Sequence, residues 1–313
     1  MRYIAKKLGV LVVTLIIISM LAFFAFQIIP GDPVTTILGT QATPEKVEAM
    51  REDMGLNKPL PERYFNWVKG LLTGDLGRSY RYNMTVSEML GGKLSVTLVL
   101  SFMSFLMVIL ISVPLSLFLA KHEGGFLDWA FSVLNQITMS VPPFFIGILF
   151  TSIFGLALGL FAPGTFVSYK DSASGFLAYL IFPALAIALP KSAMTVRLFR
   201  GSILDEMGKD YIRTAYSRGN SRSSALRAHT LRNAIIPVIT FLASTLADIV
   251  AGSVIIEQVF SVPGIGQLLL TSIGTRDYMV VQAIVVFMAS LVVLVNLIAD
   301  IAYQYIDPRI RLK

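Results

Sequence analysis

Long uninterrupted apolar runs constrain this chain more than any other feature of its sequence. The run from Leu8 to Ile29 follows a basic start of Arg2, Lys6 and Lys7. At about 1.5 Å per residue, a helix of that length crosses the roughly 30 Å hydrocarbon core of a bilayer. The apolar region of a secretory signal is shorter, about 7 to 15 residues, and no clear cleavage site follows here. We therefore interpret the run as an uncleaved first transmembrane span.

Five further apolar runs predict five further spans, at approximately Leu94–Ala120, Phe126–Phe161, Phe176–Leu198, Ala234–Val259 and Met279–Ile306. The third span is overlong. We expect it to break near Pro142 and Pro143, because proline removes a helical donor and clashes with the preceding turn. The composition is 55% hydrophobic and 14% charged, against about 25% charged in an average soluble domain. The sequence predicts an all-α integral membrane protein of six spans.

The distribution of Lys and Arg predicts the orientation of these spans. The N-terminus, the loop from Arg200 to Arg232 and the C-terminal tail carry positive charge with few acids, an excess that resists translocation. Between Gly31 and Lys93 the basic residues are matched by acids. We therefore expect both termini to be cytoplasmic. The net charge of +7 suits lipid headgroups, and with no basic soluble domain in the sequence we expect no nucleic-acid binding.

Three regions follow from this topology. Residues 1–30 form a cytoplasmic start and the first span, residues 31–93 an external domain, and residues 94–313 a core with spans 2–6 and a cytoplasmic loop at 199–233. The external segment is either a connector or a functional element, and its length favours the second. Within it, Thr43 and Pro44 predict a helix start as cap and first helical position, and Gly55 a stop.

Motifs for catalysis and metal binding are absent from the sequence. No phosphate-binding G-x-x-x-x-G-K-[ST] loop occurs, and the candidate ending in Lys93 lacks the hydroxyl that follows the lysine. His122 and His229 stand apart without metal-ligand spacing. The chain has no Cys, which excludes disulfides and thiolate sites. We expect a protein that is not an enzyme, with no metal site and no cofactor of its own.

The cytoplasmic loop between the fourth and fifth spans is the most informative segment. A helix from about Asp210 to Ser217 is predicted to end at Gly219, with a second short basic helix after it. One interpretation is a helix pair lying on anionic lipid. In the other, a helix pair tied at both ends to spans transmits the movement of a partner into the membrane, with Arg213, Arg218 and Arg222 as donors.

In this loop the chain resembles a family, the membrane permeases of binding-protein-dependent ABC importers, in the branch for oligopeptides, dipeptides and nickel. Asp210–Ala215 with Gly219, and His229–Pro237, are similar to that branch's cytoplasmic EAA loop, whose short helix docks on the ATPase. Further signatures stand in the family's order at Gly31–Pro33, Gly74–Ser79, Glu257–Gly266, Arg276–Tyr278 and Asp307–Arg309. Each one alone is weak, but together they are specific and cover nearly the whole chain.

The resemblance implies a type I ABC importer permease fold of six spans, with a small external insertion between spans 1 and 2. The subunit is then expected to form half of the path for di- or oligopeptides, or a related solute such as nickel, in a prokaryotic plasma (inner) membrane. Implied partners are a second homologous permease, two cytoplasmic ATPases that carry ATP and Mg, an external substrate-binding protein and membrane lipid. The residues implied to couple to the ATPase are Asp210, Tyr211, Arg213, Thr214, Ala215, Gly219, Arg222 and Arg232.

Asp248, near the middle of the fifth predicted span, is the outstanding ionisable group within the spans. Such groups usually face a bundle interior or water. Two interpretations stay open: Asp248 lines the solute path, or it forms a structural hydrogen bond to a neighbouring helix. It is also the one candidate coupling site for an alternative function, an ion-coupled secondary transporter or channel. A membrane sensor or scaffold, with the external segment as receptor, is a further alternative.

Overall fold

The computed structural model describes residues 2–28 and 32–306, which are mostly helical. In chain order their α-helices are α1 (Arg2–Ile28), α2 (Pro33–Leu38), α3 (Pro44–Asp53), α4 (Leu60–Thr73), α5 (Val86–Leu90), α6 (Lys93–Lys121), α7 (Phe126–Ser140), α8 (Pro143–Phe150), α9 (Ala173–Met207), α10 (Asp210–Ser217), α11 (Arg222–Ala225), α12 (Leu231–Val259), α13 (Ile265–Gly274) and α14 (Tyr278–Ile306). A 3₁₀ turn covers Gly39–Gln41, and π-helical segments cover Thr151–Ala157 and Leu226–Thr230. Two short strands, β1 (Arg78–Ser79) and β2 (Met84–Thr85), pair antiparallel.

Among the described residues, five helices are long and apolar enough to cross a membrane: Lys6–Ile28, Val86–Lys121, Ala173–Met207, Ser223–Val259 and Tyr278–Ile301. Helix α7 and the stretch Pro143–Ala157 make a sixth candidate, bent by 101°. The predicted break near Pro142 and Pro143 is confirmed, since α7 ends at Ser140 and Pro143 opens α8. The expected all-helical membrane fold is therefore confirmed. The Asp307–Arg309 signature, the basic tail and Gly31 lie outside the described residues.

Helix α9 is longer than the span that the sequence predicts there. It continues from the expected end at Leu198 to Met207. Arg200, which we expected in a loop, lies on this continuation and pairs with Asp128 of α7. A paired guanidinium is tolerated on a helix where an unpaired one is costly.

The chain divides into two compact units, Met1–Val96 with Pro263–Leu294, and Thr97–Val262 with Val295–Lys313. In the first unit, α4 packs against α1 through aromatic rings, and the Tyr64 hydroxyl lies 2.9 Å from Ser19 Oγ. The expected start of α3 is confirmed, because Thr43 Oγ1 accepts from the Lys46 backbone N–H and Pro44 is the first helical residue. Ser79 of β1 donates to the Asp277 carboxylate, which ties the segment after α4 to the turn before α14.

In the second unit, α9 packs against α7, α8 and α12. One buried cluster at its carboxyl-terminal part consists of Ala120, Phe199, Ile203, Leu226, Ala234 and Val238. Phe199 is 1% exposed and Ile203 is not exposed at all. The cluster therefore fixes the end of α9 against the residues that open α12.

Candidate functional site in the loop between α9 and α12

Helix α10 has one buried face and one exposed face. Ile212 is fully buried and Ala215, three residues later, is 7% exposed. Positions three apart lie on one side of a helix, so this pair seats α10 on the protein. Asp210 and Arg213 lie outside that seat, with side chains 94% and 75% exposed and a 3.2 Å ion pair between them. The face of α10 away from this seat is exposed and carries these two charged residues.

The turn after α10 has the geometry that the sequence predicts. Gly219 has φ of +85°, and its N–H donates to the Tyr216 carbonyl at 2.9 Å. The next residue closes the turn, because the Asn220 backbone N–H donates to the Ala215 carbonyl at 3.2 Å. A Cβ on Gly219 would meet nothing within 4 Å, so the requirement for glycine comes from its left-handed backbone alone. The predicted helix end is confirmed, and the coupling role stays a prediction.

The segment that follows anchors the loop to the two long helices. Helix α11 and the π-helical segment lead directly into α12. Ala225 and Thr230 are fully buried, and Leu226 joins the cluster around Phe199. Ser202 Oγ donates to the Ala234 carbonyl at 2.8 Å and so links α9 to α12. The segment after α10 is thus packed against both long helices.

Tyr211 connects three elements through its hydroxyl. It donates to Glu206 Oε2 of α9 at 2.5 Å and accepts from Asn233 Nδ2 of α12 at 3.2 Å. Burial, and then the hydrogen bond to Glu206, raise the pKa of Tyr211 above its ordinary value. The phenol therefore stays protonated at neutral pH and keeps its donor role. The hydroxyl ties α10 to both long helices.

The other predicted coupling residues differ in how exposed their side chains are. Thr214 is exposed, with its hydroxyl bonded to the Asp210 carbonyl at 3.1 Å, and Arg232 is exposed at the start of α12. Ala215 faces inward and contributes packing rather than contact surface. Arg222 opens α11, and its side chain lies outside the described part of the structure. Among the predicted coupling residues, Asp210, Arg213 and Thr214 lie together on the exposed side of α10, whereas Arg232 lies on α12.

Asp248 forms an ion pair that the sequence analysis missed. Its Oδ2 accepts from Lys191 Nζ of α9 at 2.7 Å, and the side chain of Asp248 is nevertheless 62% exposed. Both interpretations of Asp248 therefore keep support, since it bonds to a neighbouring helix and also presents an open carboxylate. A signal was available, because Lys191 is a cation within a predicted span beside a span that holds an unexplained acid.

Two further acidic residues in the second unit are buried and hydrogen-bonded to other helices. Asp128, 6% exposed, receives two hydrogen bonds from Arg200, with Nε–Oδ1 at 2.8 Å and Nη2–Oδ2 at 2.6 Å. Glu257 is not exposed, and its Oε1 accepts from Thr97 Oγ1 at 2.7 Å. Within the described ranges, no three His, Cys, Asp or Glu residues gather closely enough to hold a metal ion. These contacts are structural links between helices.

The apolar helices and the loop helix α10 between α9 and α12 agree with the permease class expected from the sequence. The chain belongs to the family of binding-protein-dependent transport system inner membrane components, which matches residues 112–312, with the family's N-terminal component matching residues 1–101. The family resemblance and the permease class predicted from the sequence are confirmed. The chain is a multi-pass membrane protein and a transporter subunit rather than an enzyme. Its family acts in transporter complexes, and the two alternative functions gain no support.

Three related permeases match the chain over nearly its whole length. A probable peptide ABC transporter permease of Sinorhizobium fredii is 34% identical over 309 residues, 99% of each chain. A putative peptide transport system permease of Brucella abortus is 35% identical over 308 residues, 98% of each chain. The oligopeptide transport system permease AppB of Bacillus subtilis is 34% identical over 311 residues, again 98% of each.

A solved structure of the MetNI methionine ABC transporter, in inward-facing conformations, has the same fold. Its TM-score is 0.55 at 19% identity, and the match covers 70% of this chain and 96% of the MetNI chain. At this identity the likeness concerns the fold alone. It confirms the expected ABC importer permease fold.

Proposed function

We propose that this chain forms half of the solute path of an ATP-driven peptide importer and that α10 is the element that docks on the ATPase. The named relatives are peptide permeases, which supports di- or oligopeptides over nickel as the solute. The single observation that carries the docking proposal is the structure of α10. It has a buried seat at Ile212, an exposed polar face and a hydroxyl bridge to both long helices.

The complex in which this subunit works has further parts. A second, related permease completes the path, two cytoplasmic ATPases bind ATP and Mg, and an external binding protein delivers the solute. The description of the family as binding-protein-dependent supports an external binding protein as a partner. In this arrangement both termini and the loop after α9 face the cytoplasm of a prokaryotic cell, and residues 31–93 face the outside.

Asp248 and Lys191 supply a contact for a peptide within the path. A peptide carries an ammonium and a carboxylate, the same two charges that this ion pair brings together. Each end of a passing peptide can replace one partner of the pair, so neither charged side chain is left without a counter-charge. The 62% exposure of the Asp248 side chain supports access from a water-filled path.

Reconstitution tests the proposed function. The chain is placed in vesicles with the second permease, the ATPases and the binding protein, and uptake of labelled dipeptide, oligopeptide and nickel is measured. We expect uptake of peptide that requires ATP and stops when the ATPases lack their nucleotide-binding lysine. Uptake driven by an ion gradient without the ATPases, or uptake of nickel alone, would contradict the proposal.

A further inference from the structure

A cavity of about 770 Å³ lies within the unit that contains α1. Its wall is formed by residues of α1 to α4, of the connection between α3 and α4, of the segment after β1, and of the turn between α13 and α14 with the start of α14. This volume is within the range of about 300–1,000 Å³ that is typical of pockets for small molecules. The transport function described above makes no use of it.

The cavity lies at the carboxyl-terminal end of the apolar helix α1. Phe23, Phe26 and Gln27 line it, and they belong to the last two turns of a span that ends at Ile28. The ring of Phe23 is 5.6 Å from that of Trp67, which also lines the cavity. Tryptophan side chains such as that of Trp67 are enriched at the interface between hydrocarbon and headgroups. Anything that fills the cavity therefore reaches it at headgroup depth.

Arg63 is one of the cations of the cavity wall, which also carries the acids Asp32, Glu52, Asp53 and Asp277. The guanidinium of Arg63 is half-buried 6.0 Å from the centroid of the Phe23 ring, and it forms no ion pair with any carboxylate in the described part of the chain. By contrast, Arg51 in the same wall pairs with Asp32 at 2.7 Å. Burial lowers the pKa of Arg63, so the surroundings disfavour its charge. An anion bound in the cavity would supply the counter-charge that Arg63 lacks.

We propose that this cavity binds the headgroup of a membrane phospholipid, with the phosphate on Arg63 and the glycerol region against Phe23 and Trp67. A guanidinium donates two parallel hydrogen bonds to a phosphate, a geometry that an ammonium cannot offer. A peptide carboxylate would also pair with Arg63, but the aromatic wall at the end of a span favours lipid. The bound lipid would hold α4 against the end of α1, whatever solute the transporter moves.

Lipid retention tests the proposal directly. The full chain is purified with phosphatidylglycerol, and native mass spectrometry measures the lipid that it retains. We expect Arg63→Gln to weaken retention about tenfold or more, as for loss of hydrogen bonds to a charged group. The matched control is Lys69→Gln, the same charge change at an exposed position of α4 outside the cavity wall, which should leave retention unchanged. Equal retention in the two variants would overturn the proposal.

A conservative variant separates binding from folding. Arg63→Lys keeps the charge, so it should fold and retain lipid more weakly than the wild type and better than Arg63→Gln. If Arg63→Gln fails to insert into the membrane, the lysine variant still tests whether the guanidinium binds the lipid. Retention at the wild-type level in Arg63→Lys would contradict the guanidinium contact.

Tryptophan fluorescence tests the position of the lipid and its identity. The chain has two Trp, so Trp129→Phe leaves Trp67 in the cavity wall as the reporter. In vesicles containing brominated phosphatidylglycerol, we expect strong quenching of Trp67 that falls when Arg63→Gln is added and does not fall with Lys69→Gln. An external dipeptide should leave the quenching unchanged. Its relief by dipeptide would show that the cavity binds a peptide carboxylate, and the lipid proposal would fail.

Discussion

Lys191 Nζ lies 2.7 Å from Asp248 Oδ2 and joins α9 to α12 by a charge contact. With the Asp248 side chain 62% exposed, such a pair contributes about 1 kcal/mol or less to stability. Stability alone therefore gives a weak reason to place two charges on apolar helices. A path for zwitterionic solutes gives a stronger one.

Asp248→Asn should slow peptide uptake about tenfold, the effect of roughly 1.4 kcal/mol, with little change in thermal stability. The substitution removes charge and keeps shape. Uptake by reconstituted complex and thermal unfolding of the same preparation are the measurements. Ser244→Ala, one turn earlier on the exposed side of α12, is the matched control and should transport normally. Normal uptake by Asp248→Asn at normal expression would favour the structural hydrogen bond instead.

Gly219→Val should uncouple the transporter from its ATPase. The position has φ of +85°, where a β-branched residue stores about 1–3 kcal/mol of strain or shifts the helix tip. We expect an inserted permease that no longer retains the ATPase on co-purification and shows no solute-stimulated hydrolysis. Asparagine tolerates the left-handed backbone region, so Gly219→Asn should keep most of the ATPase retention and most of the solute-stimulated hydrolysis. Full ATP-driven uptake by the valine variant would leave α10 as a membrane-surface element only.

Tyr211→Phe should weaken coupling without blocking insertion, because it removes one hydroxyl that joins α10 to Glu206 and Asn233. The raised pKa sets a pH dependence. The contribution of the phenol to stability is complete below its ordinary value of 10.0 and is lost as the pH rises through the higher folded value. The stability difference between wild type and Tyr211→Phe should therefore be constant at neutral pH and shrink in alkali. A difference that changes between pH 6 and 8 would contradict this assignment.

Single cysteines test the orientation, since the chain has none of its own. Placed at Lys6, Arg222 or Lys313, they should resist a membrane-impermeant thiol reagent in intact cells. A cysteine at the exposed position Glu48 of α3 should react. Opening the cells should make the first three reactive as well. Labelling of those three cysteines in intact cells would contradict the proposed topology.

Asp128→Ala should destabilise the protein by about 1–3 kcal/mol, because it removes both hydrogen-bond acceptors of the partly buried Arg200 guanidinium. Glu62→Ala is the matched control, since Glu62 pairs with Lys58 where both side chains are at least 50% exposed. Removal of that exposed partner should change stability by about 1 kcal/mol or less. Thermal unfolding in detergent compares the two. Similar losses would mean that Asp128 is not held in a buried pair.

The sequence predicted those parts of the fold that depend on local chemistry. Apolar length located the spans, Pro142 and Pro143 located the break, and Gly219 located the end of α10. Each of these signals acts within a few residues of the element that it defines, so no knowledge of the neighbouring helices is needed.

Contacts between distant residues could not be read in the same way. Lys191 and Asp248 are 57 positions apart, and Asp128 and Arg200 are 72 apart. Which acid meets which base depends on the relative rotation of two helices, and apolar residues all around a span leave that rotation unspecified. The inward position of Ala215 depends in the same way on the packing beneath α10. The predicted coupling residues remain predictions until the ATPase contact is measured.

The π-helical segment Leu226–Thr230 determines how the loop is rotated about the helix axis relative to α12. A π-turn holds one residue more than an α-turn, and one residue corresponds to about 100° of rotation in an α-helix. Deleting a single residue there would let the helix close in regular α form, but would turn everything before it by more than a quarter of a circle. Ala225 would leave its buried position, and the exposed face of α10 would point elsewhere. The length of this stretch is therefore as constrained as any side chain in it.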